Sequence, residues 1–192
     1  MIKEPGTRGA VTRERIVDAA AELFYAQGLR AVSADKIIER AGITKVTFYR
    51  HFPTKDDLIV AYLERRAAWE RDAIMGASEA ASGDIDETIR LVSEGIGAEA
   101  CAPGFRGCPF INAAAEYADP AHPVRRVVDS HRAWFLAMLG KLTAAVGVDD
   151  PTAAEELMML RDGAMVSGYL GDPEKVSAAL LSASRAVIAL RR

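Results

Sequence analysis

The stretch from residue 33 to residue 55 constrains the fold more than any other part of this chain, because it reads as two short helices joined by a tight turn. Ser33 can cap the first helix, which ends at Ala41, and Gly42 tolerates the left-handed backbone of a turn. Thr44 can cap the second helix, which stops before a proline. This layout is typical of a helix-turn-helix, whose second helix lies in the major groove of DNA.

Charge is divided unevenly between the two ends of the chain. The net charge is −3, but residues 1–55 carry ten Lys and Arg residues against six Asp and Glu residues. The remaining residues carry 14 against 21 and are therefore acidic. A basic head on an acidic body fits a protein in which only the N-terminal part meets phosphate.

The hydrophobic periodicity predicts helices throughout and no sheet. Caps, glycines and prolines divide the chain into about nine helices, so the predicted fold class is all-α. The Asp-Pro pairs at 150–151 and 172–173 are expected to open the last two helices, over roughly 151–170 and 173–190. The first helix is expected to begin near Arg13, after a flexible N-terminal arm of residues 1–11.

The chain carries no pattern that predicts catalysis, a cofactor or a membrane span. Nucleophile-elbow, P-loop and zinc-protease motifs are absent, so we expect no enzymatic activity and no cofactor. Cys101 and Cys108 do not have the spacing of a zinc site, and both thiols are expected to be buried or half-buried, with a redox switch as the unsupported alternative. The sequence lacks a secretion signal and an apolar run of about 18 residues, so a cytoplasmic location is expected.

Residues 12–63 resemble the DNA-binding domain of the TetR family of transcriptional regulators, without a gap. The matching segments are residues 12–16, 19–28, 37–43 and 47–55, followed by Asp57-Leu-Ile. The resemblance implies a helix-turn-helix domain over 12–55 and a helical effector-binding and dimerisation domain over 56–192. It also implies a homodimer on a palindromic operator in double-stranded DNA, released by a small-molecule effector.

The resemblance implies that the second helix of the motif reads DNA. Lys45, Val46 and Thr47 are expected in the groove, where lysine donates to guanine and the methyl groups can touch thymine. Tyr49 is expected in the groove or on the phosphate backbone. His51 resembles a family position that contacts phosphate or sugar.

Further backbone contacts are expected around the motif. Lys55 resembles a lysine at the start of the fourth helix, where backbone amides and the ammonium group favour an anion. Ser33 and Thr44 can add hydroxyl contacts while they cap their helices. Arg8 and Arg13 are expected to reach DNA from the arm or its border. Arg50 is expected to face away, and for all of these residues the alternative is an ordinary solvated side chain.

The resemblance also implies a ligand pocket enclosed by helices five to eight and a dimer formed by the last two helices, which are rich in small residues. The predicted pocket residues are aromatic, methionine or polar side chains, and core packing is the alternative for the apolar ones. They are Trp69, Phe105, Phe110, Asn112, Glu116, Trp134, Met138, Met158, Asp162 and Met165.

Two other functions remain open at this stage. A transcriptional activator of the same fold has the same sequence features as a repressor. A weakly specific structural DNA-binding protein is the other alternative, although the acidic body argues against it.

Overall fold

The computed structural model describes the backbone of residues 5–191 and the side chains of residues 9–191, and every regular element in this part of the chain is a helix. The predicted all-α fold class is therefore confirmed. The helices are α1 Pro5–Gln27, α2 Ala34–Ala41, α3 Lys45–His51, α4 Lys55–Ala80, α5 Ile85–Ala100, α6 Pro109–Glu116, α7 Pro123–Ala145, α8 Pro151–Leu170 and α9 Val176–Leu190, with a 3-10 turn at Pro173–Lys175.

Two helix boundaries differ from the prediction. Helix α1 begins at Pro5, so residues 5–11 are helical where a flexible arm was expected, and residues 1–4 lie outside the described part. Proline has a helical φ and needs no N–H partner in the first turn, so it is compatible with this start. At the other end, Asp172 caps the 3-10 turn and α9 follows only from Val176.

The chain forms two compact units. The first contains the residues up to Arg66 together with Asn112–Val128, and the second contains Ala67–Ile111 and the residues from Asp129 onward. These units differ in extent from the predicted domains, because residues 56–66 and 112–128 belong to the first unit. The assignment of DNA binding to 12–55 and of effector binding and dimerisation to 56–192 stays a prediction.

The caps of the helix-turn-helix form as the sequence predicts. The Ser33 hydroxyl accepts the Lys36 N–H at 3.3 Å, and Gly42 ends α2 with a φ of 61°. Thr54 and Asp57 form a reciprocal capping box, in which the Thr54 N–H donates to the Asp57 carboxylate at 2.9 Å and the Asp57 N–H donates to the Thr54 hydroxyl at 3.1 Å. These caps fix where α2 and α4 begin.

The core of the first unit is built from the apolar faces of α1 to α4. Ile37 on α2 and Phe48 on α3 are fully buried, and the Phe48 ring packs against Phe52 with 6.4 Å between centroids. Phe24 of α1 packs in the same way against Tyr62 of α4, at 5.8 Å. Burial of these rings holds α3 in place and leaves its other side exposed.

The second unit is held together mainly by α5, α8 and α9. Gly97 of α5 allows a close approach of α9, because a Cβ atom there would lie 2.7 Å from the Ser177 Cβ. Further along the same pair of helices, Ile89 and Ile188 belong to one buried cluster. Helices α5 and α9 therefore run antiparallel.

The two cysteines differ in their surroundings. Cys108 is buried, as expected, but Cys101 is exposed at the end of α5, so the prediction for Cys101 is wrong. Both thiols are free. Among the described helices, none combines the length and the apolar character that a membrane span requires.

Candidate functional site

Helix α3 has one face open to solvent. Lys45, Val46, Tyr49 and Arg50 are exposed, and Val46 is 79% exposed. The other side of the helix is anchored by the buried Phe48. Arg50 was expected to face away, but it is exposed one helical turn from Val46 and shares its face, as the spacing of four residues indicates.

The start of α3 is fixed by a pair of threonines. The Thr44 hydroxyl accepts the Thr47 N–H at 3.2 Å, and the two hydroxyl oxygens are 2.9 Å apart. Lys45 forms an ion pair with Asp35 at 3.2 Å, and both side chains are largely exposed. Such surface pairs contribute only about 0–1 kcal/mol, so Lys45 can exchange Asp35 for another partner at little cost.

The other residues near α3 that were predicted to contact DNA differ in their surroundings. His51 is half-buried, and its Nε2 atom is buried with no hydrogen-bonding partner in the described part of the chain. Arg13 lies with its guanidinium 5.0 Å from the centre of the Phe52 ring. The side chain of Arg8 lies outside the described part. Contacts of these three residues with DNA stay predictions.

Lys55 is occupied within the protein. Its ammonium donates to the carbonyl oxygens of Leu29 at 3.0 Å, Arg30 at 3.2 Å and Val32 at 3.0 Å. These acceptors lie in the loop between α1 and α2, residues 28–33, called the head loop below. Because a lysine ammonium has three N–H groups, all of its donors are used. This geometry does not fit the predicted phosphate contact, and it places Lys55 as a tie between α4 and the head loop.

Glu116, the last residue of α6, holds the other side of the head loop. Its carboxylate accepts the backbone N–H of Leu29 at 2.9 Å and that of Arg30 at 2.7 Å. Gly28 makes room for it, since a Cβ atom there would lie 3.2 Å from the Glu116 Oε1, and the φ of Gly28 is +93°. Glu116 was predicted to line a ligand pocket, and the structure instead uses its charge to bind backbone amides.

The residues after α6 contact the head loop and the start of α4. The Tyr117 hydroxyl donates to the Asp56 carboxylate at 3.2 Å, and the guanidinium of Arg30 lies 4.9 Å from the centre of the Tyr117 ring. His122 Nε2 lies 3.4 Å from the same carboxylate. Burial and the neighbouring Asp56 raise the pKa of Tyr117 to about 12. The segment 116–122 is thus a second anchor for the helix-turn-helix.

The second unit contains a cavity of about 60 Å³. Its wall comes from α4, α5, α7, α8 and α9 and consists of ten apolar side chains, three hydroxyl-bearing side chains and Arg161. The three hydroxyls belong to Thr88, Ser93 and Ser184, all of them buried. An apolar wall with a few polar groups is typical of a small-molecule site.

Of the ten residues predicted to line a pocket, Met138 forms part of this wall. Met158 packs in a neighbouring buried cluster, and Met165 is 1% exposed in the core. Phe110 stacks on His131 with 3.8 Å between ring centroids. For these apolar residues core packing, the alternative considered above, describes the structure better.

The other predicted pocket residues are dispersed. Trp69 is 54% exposed, Asn112 is exposed in the first unit, and Phe105 packs beside Gly168. Trp134 lies under Arg71, whose guanidinium is 5.1 Å from its ring, and Asp162 forms an ion pair with Arg132 at 2.7 Å. The prediction favoured aromatic residues and methionines, whereas the wall consists mainly of aliphatic side chains, three of them on α5 and one on α9. The sequence signal for this wall was the presence of serines within the apolar faces of α5 and α9.

Arg161 connects the cavity to a buried polar cluster. Its guanidinium donates to the Glu70 carboxylate at 3.2 Å and to the Cys108 sulfur at 3.1 Å, and His131 Nε2 lies 3.1 Å from the same carboxylate oxygen of Glu70. Burial alone lowers the pKa of Arg161, but Cys108, Glu70 and Asp162 outweigh it and leave the pKa above its ordinary value. The charge of Arg161 is therefore matched by protein groups.

Comparison with known proteins finds transcriptional regulators in each case. The model of the bacterial regulatory proteins of the tetR family matches residues 16–62. The crystal structure of SCO4454, a TetR-family transcriptional regulator from Streptomyces coelicolor, is 43% identical, with a TM-score of 0.89 over 95% of this chain and 96% of that one. A putative TetR regulator from Streptomyces avermitilis is 29% identical, with a TM-score of 0.74 over 91% of this chain and 98% of that one. The HTH-type transcriptional regulator YjdC of Escherichia coli is 24% identical over 80% of this chain and 81% of its own length.

Proposed function

Because this chain belongs to the TetR family of transcriptional regulators, and so is a DNA-binding regulator and not an enzyme, we propose that it is a homodimeric repressor of a palindromic operator in the cytoplasm. The observation that carries the proposal is the solvent-exposed face of α3. The opposite face of this helix is anchored by the buried Phe48, and the neighbouring helices α2 and α4 begin at capping residues. Release of the operator by a small-molecule effector completes the proposal.

In this proposal α3 enters the major groove with its open face toward the bases. Lys45 and Arg50 can donate to guanine, and Val46 can contact the methyl group of thymine. Tyr49 reaches bases or sugar from the next turn of the same face. The threonine pair at the start of α3 fixes how deeply the helix can enter.

The proposed dimer uses an apolar stripe on α8. Met159 is 64% exposed and Leu170 is 75% exposed, and Val166 lies between them on the same face. Gly163 continues the stripe, and a Cβ atom there would meet nothing within 4 Å, which leaves room for a helix of a second subunit. A two-fold dimer would place two α3 helices about 34 Å apart, one turn of DNA, and so favour a palindrome.

The proposed effector would act by binding the conformation with low operator affinity better than the operator-binding one. The cavity of the second unit is the candidate site. Its volume of about 60 Å³ is below the range typical of drug-sized ligands. An effector larger than the cavity would therefore bind better to a conformation in which the cavity is wider. This difference in binding free energy would drive release of the operator.

Footprinting combined with transcription in vitro tests the proposal. A promoter fragment that overlaps a selected operator would be incubated with the protein and RNA polymerase. A repressor protects a two-fold symmetric segment and lowers the amount of transcript. A rise in transcript would mean that the protein is an activator, and uniform protection of the fragment would contradict sequence-specific regulation.

A further inference from the structure

Two buried serines on different helices contribute hydroxyls to the wall of the cavity of the second unit. Ser93 of α5 is 2% exposed and Ser184 of α9 is 5% exposed, and both form part of the cavity wall. Thr88, the third hydroxyl of the wall, donates to the Asp84 carbonyl at 2.8 Å. Ser93 and Ser184 line the same cavity, so a hydrogen-bond acceptor inside it can receive their hydroxyl protons.

The two serines lie at the same level of the antiparallel pair of α5 and α9. Gly97 lies against Ser177 near one end of this pair, and Ile89 shares a cluster with Ile188 near the other. Ser93 is midway between Ile89 and Gly97 in the chain, and Ser184 falls between the matching positions on α9. One small group placed between the helices can therefore reach both hydroxyls.

The rest of the wall restricts the chemistry of that group. The side chains of Val92, Phe135 and Leu180 are apolar and favour a hydrocarbon body. The single charged member is Arg161, whose charge is matched by Glu70 at 3.2 Å and by Asp162 at 3.3 Å. An anionic ligand would have to compete with these carboxylates, so the wall favours an uncharged molecule.

We infer that this cavity binds a compact, uncharged, mainly apolar molecule with one carbonyl oxygen, held by the hydroxyls of Ser93 and Ser184. A carbonyl oxygen has two lone pairs and can accept both O–H groups at once. The cavity volume of about 60 Å³ corresponds to roughly four to six water-sized spheres, which sets the scale of the polar end and of a short apolar segment. The inference names the ligand class of the effector site under the proposed function, and binding itself can be measured without DNA.

Binding of three small probes to the purified protein tests the inference. Cyclopentanone has the carbonyl, cyclopentane lacks it, and cyclopentanecarboxylate replaces it with an anion. Methyl NMR spectra recorded during titration report whether the cavity side chains respond. We expect cyclopentanone to shift the signals of Ile89 and Leu180 with a dissociation constant on the order of millimolar, and the other two probes to bind more weakly.

Serine variants identify the contact. Ser93→Ala and Ser184→Ala should each weaken cyclopentanone binding about fivefold and leave cyclopentane binding unchanged or tighter, since only the hydrogen bond is lost. Ser78→Ala, at an exposed serine of α4, is the matched control and should change neither. A merely structural role of the serines would weaken binding of both probes equally.

The outcomes separate the inference from the proposed function. Equal binding of cyclopentane and cyclopentanone, tighter binding of the carboxylate, or no binding of any probe would overturn the inference. Operator affinity would be measured in the same samples by fluorescence anisotropy. Serine-dependent binding of cyclopentanone without any change in operator affinity would support the inference while contradicting effector-controlled release.

Discussion

The carboxylate of Glu116 accepts the backbone N–H of Leu29 at 2.9 Å, although 87 positions separate the two residues in the chain. Lys55 binds the carbonyl oxygen of the same residue at 3.0 Å, so the head loop is held on its amide side by an anion and on its carbonyl side by a cation. Charged groups form the stronger hydrogen bonds to backbone atoms. The loop that leads into the helix-turn-helix is thus held by two charged residues that follow α3 in the sequence.

Replacement of Glu116 by alanine should lower the free energy of unfolding by about 1.5–3 kcal/mol, because a charge-assisted contact to two amides is lost. Urea unfolding followed by circular dichroism measures the change. Glu64→Ala, at an exposed glutamate of α4, is the control and should stay within about 0.5 kcal/mol of the parent protein. Equal stability of the two variants would show that Glu116 does not hold the head loop.

Lys55→Met should lower stability by about 1–3 kcal/mol while leaving the salt dependence of operator binding unchanged. The reason is that its ammonium is occupied by three carbonyls and is not available to phosphate. Lys45→Met removes an exposed cation that can reach DNA; if Lys45 meets a phosphate, the slope of log K against log salt falls by about one. A similar fall in slope for Lys55→Met would restore the predicted phosphate contact.

Arg161→Met should destabilise the protein by about 3–5 kcal/mol, because it removes the guanidinium that pairs with the buried carboxylate of Glu70. Adding Glu70→Gln to this variant should recover part of the loss, since the buried negative charge is then removed as well. Thermal and urea unfolding of the single and double variants form a cycle that measures the coupling. Lys141→Met, at an exposed lysine of α7, should have little effect.

The double variant Met159→Glu/Val166→Glu should shift the protein from dimer to monomer in sedimentation velocity, because it places four charges on a two-fold α8 interface. Operator affinity should fall with it. Met75→Glu changes an exposed methionine of α4 and should leave the dimer intact. A dimer that survives the α8 changes would show that another surface mediates assembly.

The phenol of Tyr117 should make stability fall at alkaline pH. Its pKa is raised from 10.0 to about 12, so folding favours the neutral form, and the contribution is complete below pH 10 and lost as the pH rises toward 12. Tyr117→Phe lacks this titration, and the difference in unfolding free energy between the two proteins should decrease above pH 10. A difference that stays constant across this range would contradict the burial of the phenol beside Asp56.

Local chemistry made most of the fold predictable. Ser33 and Thr44 identified the starts of α2 and α3, because a hydroxyl before an amphipathic segment satisfies the first free amides of a helix. The start of α1 was missed because its first residues include two glycines, which are poor helix formers, and only the chain beyond them has an apolar face. The 3-10 turn before α9 was also missed, because an Asp-Pro pair can open either an α-helix or a 3-10 helix.

Long-range contacts were not predictable from the same signals. Nothing in the spacing of residues 29, 55 and 116 indicates that they meet at one loop, because a charged side chain that binds backbone N–H or carbonyl groups follows no sequence pattern. The cavity wall was misassigned since aromatic and methionine side chains also fill cores, as Phe110 and Met165 do. Packing of α5 against α9 decides which residues face the cavity, and that packing depends on small residues such as Gly97.

Selection of bound fragments from a random DNA pool, at two salt concentrations, tests whether α3 reads a DNA sequence. We expect a palindromic consensus with half-sites about one turn of DNA apart, which persists at the higher salt concentration. Loss of binding to all fragments alike as salt rises, with no consensus, would mean that phosphate attraction alone drives binding. That result would contradict the claim that the open face of α3 reads a DNA sequence.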